Sequence, residues 1–338
     1  MNAPEVLPIR PVEPAAFDSG VLRLDCAAES LRIGTALRRQ LREIHRKGVV
    51  LGLSGGIDSS VTAALAVRAL GPRRVLGVCM PEADSDPQSL ELAQGLAGQL
   101  GIRTVVEDIS PALRSLRCYE RRNEAVASVV PGFDESWRFK LVMPGPDHEG
   151  LSFFSVVARS PEGREVKVRL PLDAYLAIVA ATNFKQRVRK TVEYHWADRL
   201  NFAVAGTPNR LEYDQGFFVK QGDGAADLKP IAHLYKTQVY ALAEYLGVPQ
   251  EIRERPPTTD TFSMPQGQDE FYFTLPYAQL DLCMYGLDHG VAASEVARAS
   301  GLRAAQVERA FREIQRKRTA TRYQHLGALL VDDEPGAC

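Results

Sequence analysis

Missing from this chain are the signatures of a metal or redox protein. Its five cysteines (Cys26, Cys79, Cys118, Cys283 and Cys338) form no C-x-x-C pair. Their number is odd, so neither a zinc cluster nor a disulfide framework is expected, and a reducing, cytoplasmic setting fits better. The six histidines show no H-x-x-x-H spacing and no triad-like grouping. A surplus of one charge is absent too: 41 Lys and Arg face 42 Asp and Glu, a formal net charge of −1. No standing field favours nucleic acid or an anionic membrane, so neither is expected as a partner. Basic runs such as RRQLREIHRK from Arg38 read as solvated helix faces. No apolar run is long enough to span a bilayer. The N-terminal MNAPEVLPIRPVEPAAF has neither a basic start nor a continuous apolar region, so it does not read as a signal peptide. Its prolines predict an extended arm over residues 1–26.

What is present is an alternation of strands and helices. Leu31, Ile33, Leu37, Leu41 and Ile44 recur at helical spacing from Ala27 to Lys47, and Gly48 stops the pattern. VVLGL (49–53) is a short continuous apolar run, as a strand buried on both faces requires. Further strands are predicted at 74–80, 102–108 and 201–207, with helices at 59–70, 87–100, 172–199 and 236–247. This order argues for an α/β fold: a doubly wound parallel sheet with helices on both faces and a helical C-terminal region. One domain is expected over 27–330, followed by a tail over 331–338. The rhythm breaks after about Tyr119. There, at about 120–171, FFSVVARSPEGREVKVRLP predicts a β-hairpin turning at Ser160–Gly163, inserted into the α/β plan. Phe139, Leu141, Phe153, Phe154, Val156 and Val157 make the insert too apolar for a solvated loop. It must cover the core, a partner subunit or a substrate site, and it is expected on the substrate or dimer side and not over the loop at Ser54–Ser59. The glycine-rich, charged segment 208–235 is expected to be a functional loop.

The most informative stretch is LGLSGGIDSS (51–60), where the first strand meets a helix. In open α/β sheets, ligands bind beyond the carboxyl ends of the strands. Two glycines allow a tight turn whose N–H groups gather at a helix N-terminus, an arrangement suited to phosphate. Neither G-x-x-x-x-G-K-[ST] nor G-x-G-x-x-G is present, which excludes the Walker and dinucleotide fingerprints. Instead Asp58 stands beside the anion site, where a carboxylate is useful if it holds Mg²⁺. Glu212 is a second acid suited to the metal, and Lys220 and Lys236 are cations suited to phosphate.

The corner, Ser54 to Ser59, resembles the S-G-G-x-D-S loop of the N-type ATP pyrophosphatases, which cleave ATP between its α and β phosphates and adenylate an acceptor. Downstream, TNFKQRVRK (182–190) resembles the N-x-x-x-R-x-R segment of the NAD synthetases within that superfamily. GTPNRLEYDQGFFVKQGDGAADLKPI (206–231) resembles their G-T…E…G-[FY]-F-x-K-x-G-D-G-x-x-D block, and PPTTD (256–260) and QDE (268–270) resemble later motifs. The resemblance covers about residues 30–320, with 120–171 outside it. It implies ATP contacts from Gly52, Leu53, Ser54, Gly55, Gly56, Ile57, Asp58, Ser59, Thr207, Lys236 and Thr258. It implies Mg²⁺ on Asp58 and Glu212. It places Arg187, Lys220, Asp227 and Lys317 on the acceptor, nicotinic acid adenine dinucleotide, and Asp223 near the ammonia. Asp58, Lys220 and Asp223 are the implied catalytic residues. No glutaminase-like stretch precedes the loop, so free ammonia is the expected nitrogen donor. The family is typically homodimeric, with the dinucleotide at the subunit interface.

Two positions depart from the family pattern. Pro208-Asn209-Arg210-Leu211 follows Gly206-Thr207, and Arg316-Lys317 stands where a His-Lys pair is usual. The alternative reading is therefore a related amide ligase that adenylates another carboxylate. A tRNA-modifying relative is disfavoured by the lack of a C-x-x-C site and of basic charge. A nucleotide sensor without turnover would not need both Asp58 and Glu212.

Overall fold

A computed structural model describes residues 17–143, 153–256, 261–267, 272–273 and 275–330 of the 338. The described chain runs α1 (Cys26–Glu43), β1 (Val49–Gly52), α2 (Ile57–Leu70), β2 (Val75–Cys79), α3 (Pro87–Leu100) and β3 (Arg103–Val106). Next come α4 (Ser110–Ser115), α5 (Cys118–Ala127), β4 (Arg138–Val142), β5 (Ser155–Arg159), β6 (Glu165–Arg169) and α6 (Leu172–Leu200). The remainder is β7 (Ala203–Val204), α7 (Arg210–Gln215), α8 (Lys236–Tyr245), α9 (Gln250–Glu254), α10 (Tyr277–Asp288), α11 (Ala293–Ser300) and α12 (Ala304–His325).

The main sheet has strand order β3-β2-β1-β7, with parallel pairing throughout. Both of its faces are covered, which explains the continuous apolar runs. Val49, Leu51 and Leu53 point into a core built with α1, α2, α3 and α8. Val50 alternates to the other face and packs with Leu76, Val78, Leu113 and Trp196. The chain steps outward from β1 to β3 and then returns to place β7 on the other side of β1. That reversal opens a crevice at the carboxyl end of β1.

The insert is larger than a hairpin. β5 and β6 form the expected pair around 160–164, and β4 adds a third antiparallel strand on the other side of β5. The RFKLV stretch of β4 is flanked by turn residues, so its alternation is too short to recognise in isolation. Phe139, Leu141, Val156 and Ala158 form a separate core with Val126 and Val130 beside α5 and with Ile178 of α6. Phe133, Phe139 and Phe262 meet edge-on or tilted at 5.5–5.8 Å between centroids. The segment 118–127, where the α/β rhythm breaks in the sequence, is helical and packs on α6. The segment 208–235 is not wholly loop, because it contains α7. Most of the expected N-terminal arm, the tail 331–338 and the QDE stretch (268–270) lie outside the described residues.

Phe139 is 1% exposed at the centre of the insert core. Phe139→Ala is expected to cost about 3–5 kcal/mol. The check is a lowered urea midpoint together with lost hydrogen-exchange protection over 138–169, while β1 to β3 keep theirs.

Candidate active site

The crevice is a cleft of about 790 Å³, within the range of about 300–1,000 Å³ usual for small-molecule sites. The Ser54–Ser59 corner forms its floor. Gly55 has φ +73°, and a β-carbon there would lie 2.3 Å from the Ser89 carbonyl oxygen. Only glycine tolerates both the left-handed backbone and this approach of α3. The corner is internally braced: Gly56 N–H donates to Ser54 Oγ (3.2 Å), and Ser59 Oγ donates to the Gly56 carbonyl (2.9 Å). The Ser54 and Ser59 hydroxyls lie 3.1 Å apart. Ser60 is fully buried and spends its hydroxyl on the Gly56 carbonyl. The N-terminal end of α2 points into the cleft, supplying partial positive charge.

Asp58, on the first turn of α2, is the centre of a charged knot. Lys236, at the start of α8, is 0% exposed and ion-paired to Asp58 Oδ2. Burial lowers the Lys236 pKa, but Asp58 and then Glu212 outweigh this and leave it raised, so the side chain is a dehydrated cation. Asn209 ties the two acids together. Its Nδ2 donates to Asp58 Oδ1 (3.1 Å), and its backbone N–H donates to Glu212 Oε2 (3.2 Å). The second of these belongs to a reciprocal N-terminal cap of α7, in which the Glu212 N–H donates back to Asn209 Oδ1. Asp281 of α10 caps α8 in turn, accepting from Lys236 N (3.3 Å) and Thr237 N (2.8 Å). Burial pushes the Asp281 carboxyl up to about 6. Asp58 and Glu212 both act on the Lys236 ammonium and both line the cleft, so their hard carboxylate oxygens are the ones that would hold Mg²⁺.

One wall of the cleft is α6. Tyr175, Val179, Thr182, Gln186, Lys190 and Glu193 line it at helical spacing. Lys190 and Glu193 form a buried pair at 2.7 Å beneath Gly52. Burial raises the Glu193 pKa, with Lys190 opposing. Burial also raises the pKa of Asp223, which lines the same cleft, although the Val219 N–H donates to its carboxylate at 2.7 Å. A second knot joins Lys185 to Glu82 (2.8 Å) and Asp84 (2.6 Å), with Arg122 paired to Asp84 and Tyr119 donating to Glu82 (2.8 Å).

The sequence-predicted residues divide into two groups. Gly52, Leu53, Ser54, Gly56, Ile57, Asp58, Ser59, Thr207, Glu212 and Asp223 line the cleft. Gly55 supports it from behind, and Lys236 reaches Asp58 from its buried position. Thr258 lies outside the described residues. The four acceptor residues do not line the cleft. Arg187 lies on another face of α6, in a groove with Arg121, Ala180 and Phe184, and donates to the Lys220 carbonyl at 3.3 Å. Lys220 Nζ caps the end of α12 at the carbonyls of Tyr323 (2.8 Å) and Leu326 (2.9 Å). Asp227 accepts from Val204 N (2.7 Å) and Tyr194 Oη (3.3 Å) beside β7. Lys317 is paired with Glu313 (2.8 Å) and lies against the rings of Tyr272 and Phe273.

Asn209 and Glu193 are functional candidates that sequence reasoning passed over. Asn209 was legible as the N-x-x-E cap signature in NRLE. For Glu193, nothing in the sequence distinguishes a buried helix acid from a solvated one.

The family model described as NAD synthase matches residues 30–130 and 171–323, leaving 131–170 outside. A protein named NH(3)-dependent NAD(+) synthetase from Rhizobium meliloti (strain 1021) is 57% identical over 93% of this chain and 95% of its own length. One of the same name from Mesorhizobium japonicum is also 57% identical, over 92% and 98%. Among solved structures, an NMN synthetase from Francisella tularensis superposes with a TM-score of 0.63 at 22% identity, covering 92% of this chain and all of the other. An NH3-dependent NAD synthetase from Campylobacter jejuni, in complex with the nitrate ion, gives 0.60 at 20%, covering 91% and 100%. These two structures share the fold.

Gly55→Ala is expected to weaken ATP binding at least about ten-fold, because it forces strain into the phosphate corner. Calorimetric titration with Mg-ATP checks this, with an unchanged far-ultraviolet spectrum showing that the fold survives.

Proposed function

The chain belongs to the NAD synthase family, and from that premise we propose how its own residues carry the ATP-dependent amidation of nicotinic acid adenine dinucleotide by ammonia. The observation that carries the reading is the knot of Asp58, Lys236, Asn209 and Glu212 set against the Ser54–Ser59 corner. The pyrophosphate end of ATP lies on the corner, at the N-terminus of α2. Asp58 and Glu212 would hold Mg²⁺ there, and the bound ion would screen the negative charge of the triphosphate from the incoming carboxylate. Lys236 is already dehydrated, so its charge reaches the phosphates without a further desolvation cost. Thr207 lines the nucleotide side of the cleft.

A carboxylate oxygen of the acceptor attacks the α-phosphorus. The bond from that phosphorus to the bridging oxygen breaks, and pyrophosphate leaves. Ammonia nitrogen then attacks the acyl carbon of the mixed anhydride. The carbon–oxygen bond to AMP breaks, giving NAD and AMP, and the nitrogen gives up a proton. We assign that proton to Asp223, which lines the cleft and whose carboxyl pKa is raised by burial. AMP is a good enough leaving group that no protein nucleophile is required.

The acceptor must reach from this cleft to Arg187 and Lys220, which lie outside it. We therefore extend the proposal to a homodimer that closes the acceptor site. On the face of α6 that carries Arg187, Leu172 is 69% exposed and Leu176 51%, continuing into Ala180 and Phe184. A stripe of this kind along a 29-residue helix suits burial against a second copy. Among the described residues, no helix is long and apolar enough to cross a membrane. The free cysteines Cys26, Cys79, Cys118 and Cys283 suit a reducing cytoplasm, where we place the enzyme.

Pyrophosphate and AMP release with the deamido dinucleotide, ATP and ammonium tests the reaction. Asp58→Asn is expected to lower the rate at least about a hundred-fold. The wild-type rate should climb with pH as neutral ammonia replaces ammonium, and normal turnover by the Asn variant would refute the role of Asp58. For the dimer, Leu176→Asp is expected to halve the mass measured by light scattering. An unchanged mass would remove α6 from the interface.

A further inference from the structure

The insert reaches the cleft. Phe154, immediately before β5, stacks on Tyr175 of α6 with ring centroids 4.5 Å apart and planes at 15°. Both rings line the cleft and both are half-buried. A second aromatic stack lines the same cleft. Phe217, whose N–H donates to the Glu212 carbonyl at 2.8 Å, stacks on Tyr272 at 4.6 Å and 26°. Tyr272 is pinned by its hydroxyl to the Gln215 carbonyl at 2.7 Å. Burial raises its pKa, with a smaller contribution from Tyr175.

The shelf is rigidly mounted. β5 sits between β4 and β6, and Val156 and Ala158 are buried beneath it. The free edge of β4 grips the segment after the undescribed 257–260. Phe139 N–H donates to Ser263 Oγ (3.0 Å), and Met264 N–H donates to the Phe139 carbonyl (3.1 Å). A peripheral decoration would not place a ring in the cleft while bracing a second segment of its wall. The family model leaves 131–170 unmatched, so Phe154 stands outside the part of the chain that the model describes.

We propose that Phe154 and Tyr175 form an acceptor subsite, a stacking shelf supplied by the insert for an aromatic ring of the deamido dinucleotide. The assignment rests on the reading of the cleft given above. In phosphoryl transfer the attacking and leaving oxygens stand roughly in line. Pyrophosphate leaves toward the Ser54–Ser59 corner, so the acceptor enters from the opposite side. The shelf lies toward the opposite end of α6 from the acid that packs beneath Gly52. Tyr175 precedes Glu193, which packs beneath Gly52, by eighteen positions on α6, a separation of about 27 Å at the helical rise. A ring held there is remote from the phosphate corner, and a flat, preordered apolar surface suits a heteroaromatic ring.

The test compares Phe154→Ala, Phe154→Leu and Phe154→Trp in the full chain, with steady-state kinetics varied separately in ATP and in deamido dinucleotide. A stacking contact is worth a factor of roughly ten or more. The Ala and Leu variants should raise the KM for the dinucleotide by that factor and leave the KM for ATP unchanged. The Trp variant should restore the wild-type value, and its added fluorescence should be quenched by dinucleotide without ATP. Rescue by Leu, or an increase confined to the ATP KM, would overturn the proposal. Wild-type protein that fails to amidate the dinucleotide would instead refute the function itself. Active wild type with an indifferent Ala variant refutes only the shelf.

Discussion

The buried cation of Lys236 is the constraint around which the site is arranged. An ammonium group with no exposure must be paired, because removing its partner leaves an uncompensated charge costing about 3–5 kcal/mol. Asp58 supplies the partner, Glu212 deepens the field, Asn209 fixes both carboxylates and Asp281 anchors the helix from which the lysine projects. One ion pair thus ties α2, α7, α8 and α10 together at the carboxyl end of β1. The proposed positions of the divalent cation and the triphosphate follow from this arrangement.

The long helix α6 performs a comparable task for the rest of the cleft. Its inner stripe carries an aromatic ring at one end and a buried acid at the other, and its outer stripe carries Arg187 beside exposed leucines. A straight helix presents distinct faces along fixed lines, so α6 serves a cleft and a groove at once. The knot of Lys185, Glu82, Asp84 and Arg122 holds it against the loop after β2. Two cations and two anions cancel there. Their main effect is to set the position of α6, because buried ion pairs contribute little net stability once desolvation is counted.

The insert shows how a self-contained element meets the cleft. It brings its own apolar core, which lets it fold against α5 and α6 without disturbing the main sheet. It adds one ring, Phe154, to the cleft and leaves the Ser54–Ser59 corner and the Asp58–Lys236 pair to other elements. Both outcomes follow from the point of insertion, directly before the helix that lines the cleft.

Much of this was written in local sequence. VVLGL read as a strand buried on both faces, and SGGIDSS as a turn with a helix start suited to an anion, because glycine geometry and helix N-termini act over a few residues. The pairing of β5 with β6 was legible for the same reason: a short turn sets its register. Other features depended on contacts between residues distant in sequence. Lys236 and Lys220 are both lysines in polar stretches. Only the tertiary structure makes one a dehydrated partner of Asp58, 178 positions away, and the other a clamp on the end of α12. The strand β4, the buried Glu193 and the meeting of Phe154 with Tyr175 were likewise decided by packing, since desolvation and ring stacking depend on which surfaces the fold brings together.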